Sequence, residues 1–178
     1  MTIKKSFPKS RFFGTRAQSM VEFAIVLPIL LALLVGILEV GRMVFVYAVA
    51  VNASREAVRF ASAIGFNDNT YYLKYQYCSG IRAVAKKYGF LLNLQDSNIA
   101  IAYDSGPGTT AITTKCAAGT TNDSTVVATM GKTRVKVTVS ANYSPITKLI
   151  PITTRTFTAT SYRTIVGNVA IATPTPHP

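Results

Sequence analysis

The chain changes texture twice. Residues 18–64 are dominated by apolar and small side chains, and Phe23 to Leu38 carry no charge at all. A shorter mixed stretch follows. Beyond Asn93 the pattern becomes a period of two, rich in Thr and Val. The uncharged run is slightly short of the ~20 residues usually needed to cross a bilayer. The span therefore either takes in Glu39 and Arg42 or starts at Met20 and Val21 and stays short. Helical character continues through "VYAVAVNASREAVRFASAIG", where Ala and Val alternate with Arg55, Glu56 and Arg59 and no Pro intervenes. Gly65 supplies the stop. The pattern predicts one helix from about Gln18 to Ile64, roughly 70 Å long at 1.5 Å per residue. Half of it would lie in lipid and half would project.

Tyr72, Tyr75, Ile81, Val84, Ala85 and Tyr88 give an apolar stripe that predicts a second helix over 71–88. Asn67-Asp68-Asn69-Thr70 offers its turn and N-cap, and Gly89 its C-cap. "NIAIAY" (98–103), "RVKVTVSANY" (134–143) and "RTFTATSYRTIV" (155–166) alternate as half-buried strands do. In the second, Val135, Val137 and Val139 face one way, while Lys136 and Thr138 face the other. That suits an antiparallel sheet with one solvated face. The loop between the first two strands holds Cys116 and has room for a short strand at 111–114. "TPTPHP" closes the chain in an extended, proline-rich tail.

The expected fold is α+β: a long N-terminal transmembrane helix, then a small head with a second helix and an antiparallel β-sheet. The expected divisions are a basic leader at 1–17, the long helix at 18–65, the head at 66–170 and the tail at 171–178. The projecting half of the long helix has an Ala/Val-rich side that must bury somewhere, and the sheet face is the available surface.

Charge sharpens the picture. The chain of 178 residues has 19 Lys and Arg against 7 Asp and Glu. Lys4, Lys5, Lys9, Arg11 and Arg16 all precede the apolar run, and no acid does. A basic flank to a hydrophobic segment is what anionic lipid and the positive-inside rule explain. The remaining basic residues form no recognisable nucleic-acid motif, so membrane lipid is the expected partner and nucleic acid is not. A secretory signal peptide fits poorly, because the apolar region is too long and no small-x-small site closes it.

Candidate chemistry is sparse. Cys78 and Cys116 both follow the apolar run, so an extracytoplasmic head would let them form one disulfide, stapling the loop to the second helix. Two unpaired buried thiols are the alternative. The single histidine, His177, lies in the tail, so neither a triad nor a zinc site is available. Asp96, Asp104 and Asp123 are spread through turns at low acid density, and a phosphate loop is absent. "YYLKYQYC" reads as core plus tyrosine surface rather than a sugar platform. No cofactor, metal or enzymatic activity is expected.

The polar residues around the apolar run ask for a reason. Glu22 sits at its mouth, Pro28 inside it, and Glu39 and Arg42 just beyond. Glu39 and Arg42, at i and i+3, share a helix face and can pair with each other or with another subunit. Arg55, Glu56 and Arg59 form a charged face, either solvated or a docking site. Pro28 removes one backbone bond, which either loosens the helix or is merely tolerated. Gly36 and Gly41 are five apart, not a GxxxG pair.

"AQSMVEFAIVLP", followed by "GILEVGR" and then "ASREAVRFA", resembles the TadE-like family, pilin-like proteins of tight-adherence (Flp) pili. The motifs span about residues 14–64. The resemblance implies an inner-membrane protein with its N-terminus inside, matured by a prepilin peptidase that leaves a conserved Glu as fifth residue. Counting back from Glu22 places that cut between Ala17 and Gln18, with Ala17 where the family usually has Gly. A cut after Gly14 would leave Glu22 eighth. The resemblance further implies other pilin-like subunits and an assembly platform as partners, with Glu22, Phe23 and Pro28 acting in assembly. A carboxylate at the mouth of the helix could partner the new amine at Gln18 when helices pack, or could simply be solvated by headgroups. The function expected is a minor pilin or pseudopilin, with a non-polymerising, membrane-anchored binding module as the alternative.

Overall fold

The structure is a computed structural model that describes residues 15–63, 65, 72–112, 114–129, 131–147 and 153–166. Helix α1 runs Thr15–Ser62 and α2 Cys78–Tyr88. Strands β1 (Ile99–Asp104), β2 (Arg134–Tyr143) and β3 (Arg155–Thr164) form one antiparallel sheet in the order β1-β2-β3. The architecture is α+β with a pilin-like layout. Residues 1–14 of the expected leader, the 67–70 cap and the tail lie outside the described residues, while Thr15–Ala17, expected in the leader, are already helical.

α1 is a single helix, and Pro28 does not interrupt it. Its two halves meet different surroundings. Residues 18–34 are exposed all round. From Val35 onward a stripe turns inward at positions 35/36, 39, 42/43, 46, 49/50, 53/54, 57/58 and 61/62. That spacing is the 3.6-residue repeat of one helix face. The stripe is small where it is deepest: Ala50, Ala53, Ser54, Ala57 and Ala61 are fully buried. Short side chains let the helix axis lie close to the sheet.

The sheet meets it with the alternating face read from the sequence. Val135, Val137 and Val139 are completely buried, flanked by Ile99, Ile101, Tyr103 and Ala159. Cys78, Ile81 and Ala85 of α2 complete the same core. Ser54 Oγ lies 2.8 Å from Ser161 Oγ, which fixes the height of helix against sheet. The opposite sheet face is solvated. Register places Lys136 beside Tyr162, Thr138 beside Thr160, Ser140 beside Thr158 and Asn142 beside Thr156.

Three local expectations are adjusted. α2 starts at Cys78 rather than residue 71: Leu73 is extended, Lys74–Gln76 form one 3₁₀ turn and Tyr77 breaks the path. Gln76 is the cause. Its side chain donates to Val126 O (3.0 Å) and its carbonyl accepts from Asp123 N (2.9 Å), so contacts with a distant loop override helix propensity. Among the described residues of the segment expected as a strand at 111–114, one bridge forms, Ile112 to Tyr103. Gly89 caps α2 through its N–H to Ala85 O (2.8 Å), but with φ −102°, outside the left-handed region. Glycine is needed there for closeness: a Cβ would come 2.5 Å from Leu94 Cδ1 and 3.3 Å from Ala53 Cβ.

Candidate functional site: the bare helix and its junction with the head

The first half of α1 presents apolar surface with nothing over it. Phe23, Ile29 and Leu38 are 62, 66 and 68% exposed, and none of the most apolar window is buried. A stripe could be accommodated at a protein surface, but a cylinder apolar all round requires lipid or other helices. Ala17 and Gln18 lie in the first turn of this helix. Gln18 Nε2 donates to Glu22 Oε1 at 3.2 Å, so the two residues share a face one turn apart. Phe23 and Pro28 follow on the uncovered surface.

Where that surface ends, the helix is fastened to the head. Glu39 is 3% exposed and surrounded by donors. The Tyr143 hydroxyl donates to Glu39 Oε2, and Arg42 Nη1 donates to the same oxygen at 3.1 Å. Ile146 N, Thr147 N and Thr147 Oγ1 donate to Oε1 at 2.9, 3.0 and 3.1 Å. Hydrogen bonds of this kind favour the ionised form. Arg42 also lies over the Tyr143 ring, 5.4 Å from its centroid. Tyr143 packs edge-on against Phe157, and Phe157 against Tyr47. The i,i+3 spacing of Glu39 and Arg42 was visible in the sequence. The partners from β2 and the following loop were not, because they lie more than a hundred positions downstream and no local pattern links them.

Further along α1, Arg59 Nη1 stands 3.9 Å from Glu56 Oε1, and Arg55 and Arg59 are exposed. A contact that long in water contributes little.

The long loop is fastened to α2 by a disulfide, by Arg82 and by Ser79 N, which donates to Thr121 O at 2.9 Å. Cys78 and Cys116 form a disulfide with Cα atoms 5.4 Å apart. Arg82, 2% exposed, donates to the carbonyls of Thr120 (2.9 Å), Cys116 and Ala117. Burial pulls its guanidinium below its ordinary pKa, partly offset by Asp96. Asp123 accepts from the Thr125 hydroxyl and from Cys116 N, and the first of these leads in lowering its pKa. Sequence reading missed Arg82, since a lone Arg on a short helix reads as surface. Tyr103, inside the same corner, donates to Tyr75 O at 2.5 Å, and burial pushes its pKa up.

At the head's far end Arg134 grips Asp104 with two bonds, Nε to Oδ1 at 2.6 Å and Nη2 to Oδ2 at 3.0 Å. That pairing holds Asp104 below the usual carboxylate range, and Gly106 N adds to it. Arg134 and Lys136 both approach the Tyr162 ring, at 5.1 and 5.5 Å. With the Gly106–Gly108 turn they line an open groove of about 340 Å³. Among the described residues no three His, Cys, Asp or Glu side chains gather as a metal site.

Residues 17–59 match the family model described as TadE-like protein. The matched stretch begins at the expected cleavage position and includes Glu22, Phe23, Pro28, Glu39, Arg42, Arg55, Glu56 and Arg59, but none of the sheet. No curated protein and no solved structure matches the chain.

Proposed function

We propose that this chain is a minor pilin or pseudopilin of a tight-adherence pilus system, rooted in the bacterial inner membrane with its N-terminus inside and its head extracytoplasmic. The observation that carries this reading is the uncovered apolar half of α1, continuous with a half that is locked into a folded head. Residues 18–38 rise ~31 Å at 1.5 Å per residue, close to the ~30 Å of bilayer hydrocarbon. The TadE-like match over 17–59 supports a pilin-like setting, and a disulfide in the head fits an oxidising compartment.

In this reading a prepilin peptidase cuts between Ala17 and Gln18, which removes the basic leader and leaves a new amine. An amine entering an apolar helix bundle needs a counter-charge, because a bare ion there costs several kcal/mol. Glu22 is one turn from Gln18 on the same face. It meets the amine of its own helix or of a neighbour and sets the register between them. Phe23 and Pro28 lie in the packed zone. The role is structural rather than enzymatic, and the partners are lipid, sister subunits and the assembly platform.

The N-terminal mass of the protein recovered from membranes tests the first step: a chain starting at Gln18 is expected. Glu22→Ala should insert normally, yet fail to support filament assembly. Wild-type filament numbers from that variant would overturn the registry role.

A second reading is favoured by the groove at Asp104, Arg134, Lys136 and Tyr162. A membrane-anchored binding module would use it for a ligand and would not polymerise. An intact Met1 in the membrane, with wild-type behaviour independent of any assembly ATPase, would select it.

A further inference from the structure

Helix and sheet are aligned so that one end of the head meets the end of the apolar run. Ser54 touches Ser161, which pairs with Val137. Glu39 lies fifteen residues back along α1, ~22 Å at the helical rise. Tyr143 lies six residues on along β2, ~20 Å at the strand rise. The two paths arrive together, and Tyr143 bonds to Glu39. β2 therefore runs opposite to α1 and delivers the segment 144–147 to the level where the uncharged run stops. The backbone N–H groups of Ile146 and Thr147 are tied there by the Glu39 carboxylate at 2.9 and 3.0 Å.

The side chain carried by that tether is apolar and open. Ile146 is 73% exposed. On α1, Val40, Val44 and Phe45 are also uncovered, and they lie within ~9 Å of Glu39 along the axis. The headgroup layer beyond the hydrocarbon is ~5–8 Å deep. An acidic group at this depth is costly unless its charge is matched and its oxygens bonded. Glu39 meets both conditions through Arg42 and the loop donors.

We propose that Ile146, with Val40, Val44 and Phe45, forms an apolar collar that sits in the headgroup–acyl boundary of the bilayer, held at that depth by Glu39. The head thus rests on the membrane as well as being strung from it. The collar's occupant is phospholipid, because its surface is continuous with the uncovered run 23–38. The inference rests on the spanning reading of α1.

The test uses the full chain in vesicles of phosphatidylethanolamine and phosphatidylglycerol. Ile146→Cys, Leu30→Cys and Thr160→Cys each carry a thiol-linked, environment-sensitive fluorophore, with Cys78 and Cys116 kept oxidised. The expected result is that the Ile146 probe is quenched by nitroxide placed high on the lipid chain and is shielded from aqueous iodide. The Leu30 probe should respond to deep nitroxide, and the Thr160 probe only to iodide. Adding Glu39→Ala should return the Ile146 probe to iodide while the Thr160 probe is unchanged. An Ile146 probe as open to iodide as Thr160, with Leu30 still in lipid, overturns the collar alone. An Ile146 probe that keeps its depth in the Glu39→Ala chain overturns the tether. If the Leu30 probe is also open to iodide, the spanning reading falls and the collar with it.

Discussion

Asp104 is 5% exposed and takes both of its strongest bonds from Arg134, on the neighbouring strand. Hydrogen bonding to Arg134 is the chief cause of its lowered pKa. The sign of the consequence follows from proton uptake. In the unfolded chain this carboxyl protonates near pH ~4, while in the folded protein it stays ionised further into acid. The contribution to stability is therefore present in full above that ordinary value and disappears as pH falls through the lower, folded one. Asp104→Asn should lower the midpoint of thermal unfolding by a few degrees at neutral pH, measured by circular dichroism in detergent. Wild type and variant should converge as the pH drops below 4. A gap of constant size across the titration would mean that the side chain matters for packing and not for charge. Sequence reading placed Asp104 in a turn, since nothing local marks Arg134 as opposite. Only the register Asp104↔Arg134 brings the two together.

Among the elements, α2 and the loop 114–129 depend on each other more than on their own propensities. α2 has eleven residues, below the length at which a helix is stable alone in water. Its inner side is held by Ile81 and Ala85, its C-terminus is capped by Gly89, and the loop ties Gln76 just before it and Arg82 at its middle. The disulfide closes a loop with a sequence separation of 38. Chain-entropy arguments give about 3–4 kcal/mol for a ring of that size. A Cys78→Ala/Cys116→Ala chain should lose about that much stability in urea titration, roughly a third of what a small domain has. Amide exchange should rise first in 114–129 and in the 3₁₀ turn. A loss confined to tenths of a kcal/mol would show that the hydrogen bonds of Arg82, Gln76 and Ser79 suffice to hold the loop. The elements also divide by how readable they are. α1 and β2 were legible to within a few residues because their signals are periodic and continuous over many positions. β3 and β1 were legible to one or two residues for the same reason. The start of α2 was not, because Gln76 answers to Val126 and Asp123 rather than to its neighbours. Of the candidate site, the residues from Ala17 to Pro28 are neighbours in sequence, so their grouping on one stretch of α1 is a local signal. The Glu39 junction could be read only as half a pair, and the Arg82 clamp not at all.

At the scale of the whole molecule, α1 is one helix serving two environments, and the boundary between them falls near Val35, where half-burial begins. Its outer half is part of the head's core rather than a stalk beneath it. Val135, Val137 and Val139 are fully buried on the face against which Ala50, Ala53 and Ala57 pack. Burying each such valine contributes about 1.5–3 kcal/mol. Uncovering three of them, with Ile81, forfeits a sum comparable to the ~5–15 kcal/mol that keeps a small domain folded. The inner half, by contrast, is exposed throughout residues 18–34. Two truncations separate these roles. A chain of residues 35–178 keeps Glu39 and the whole inward stripe. It should fold in water without detergent, retain its disulfide and unfold within a few degrees of the full chain. A chain of residues 65–178 lacks the helix altogether, and it should give no cooperative transition and should aggregate or bind hydrophobic dyes. Equal behaviour of the two chains would mean that the head folds without α1, and the helix would then be only an anchor. If instead they differ as expected, any force that shifts the helix between lipid and a bundle must move the head with it as one body.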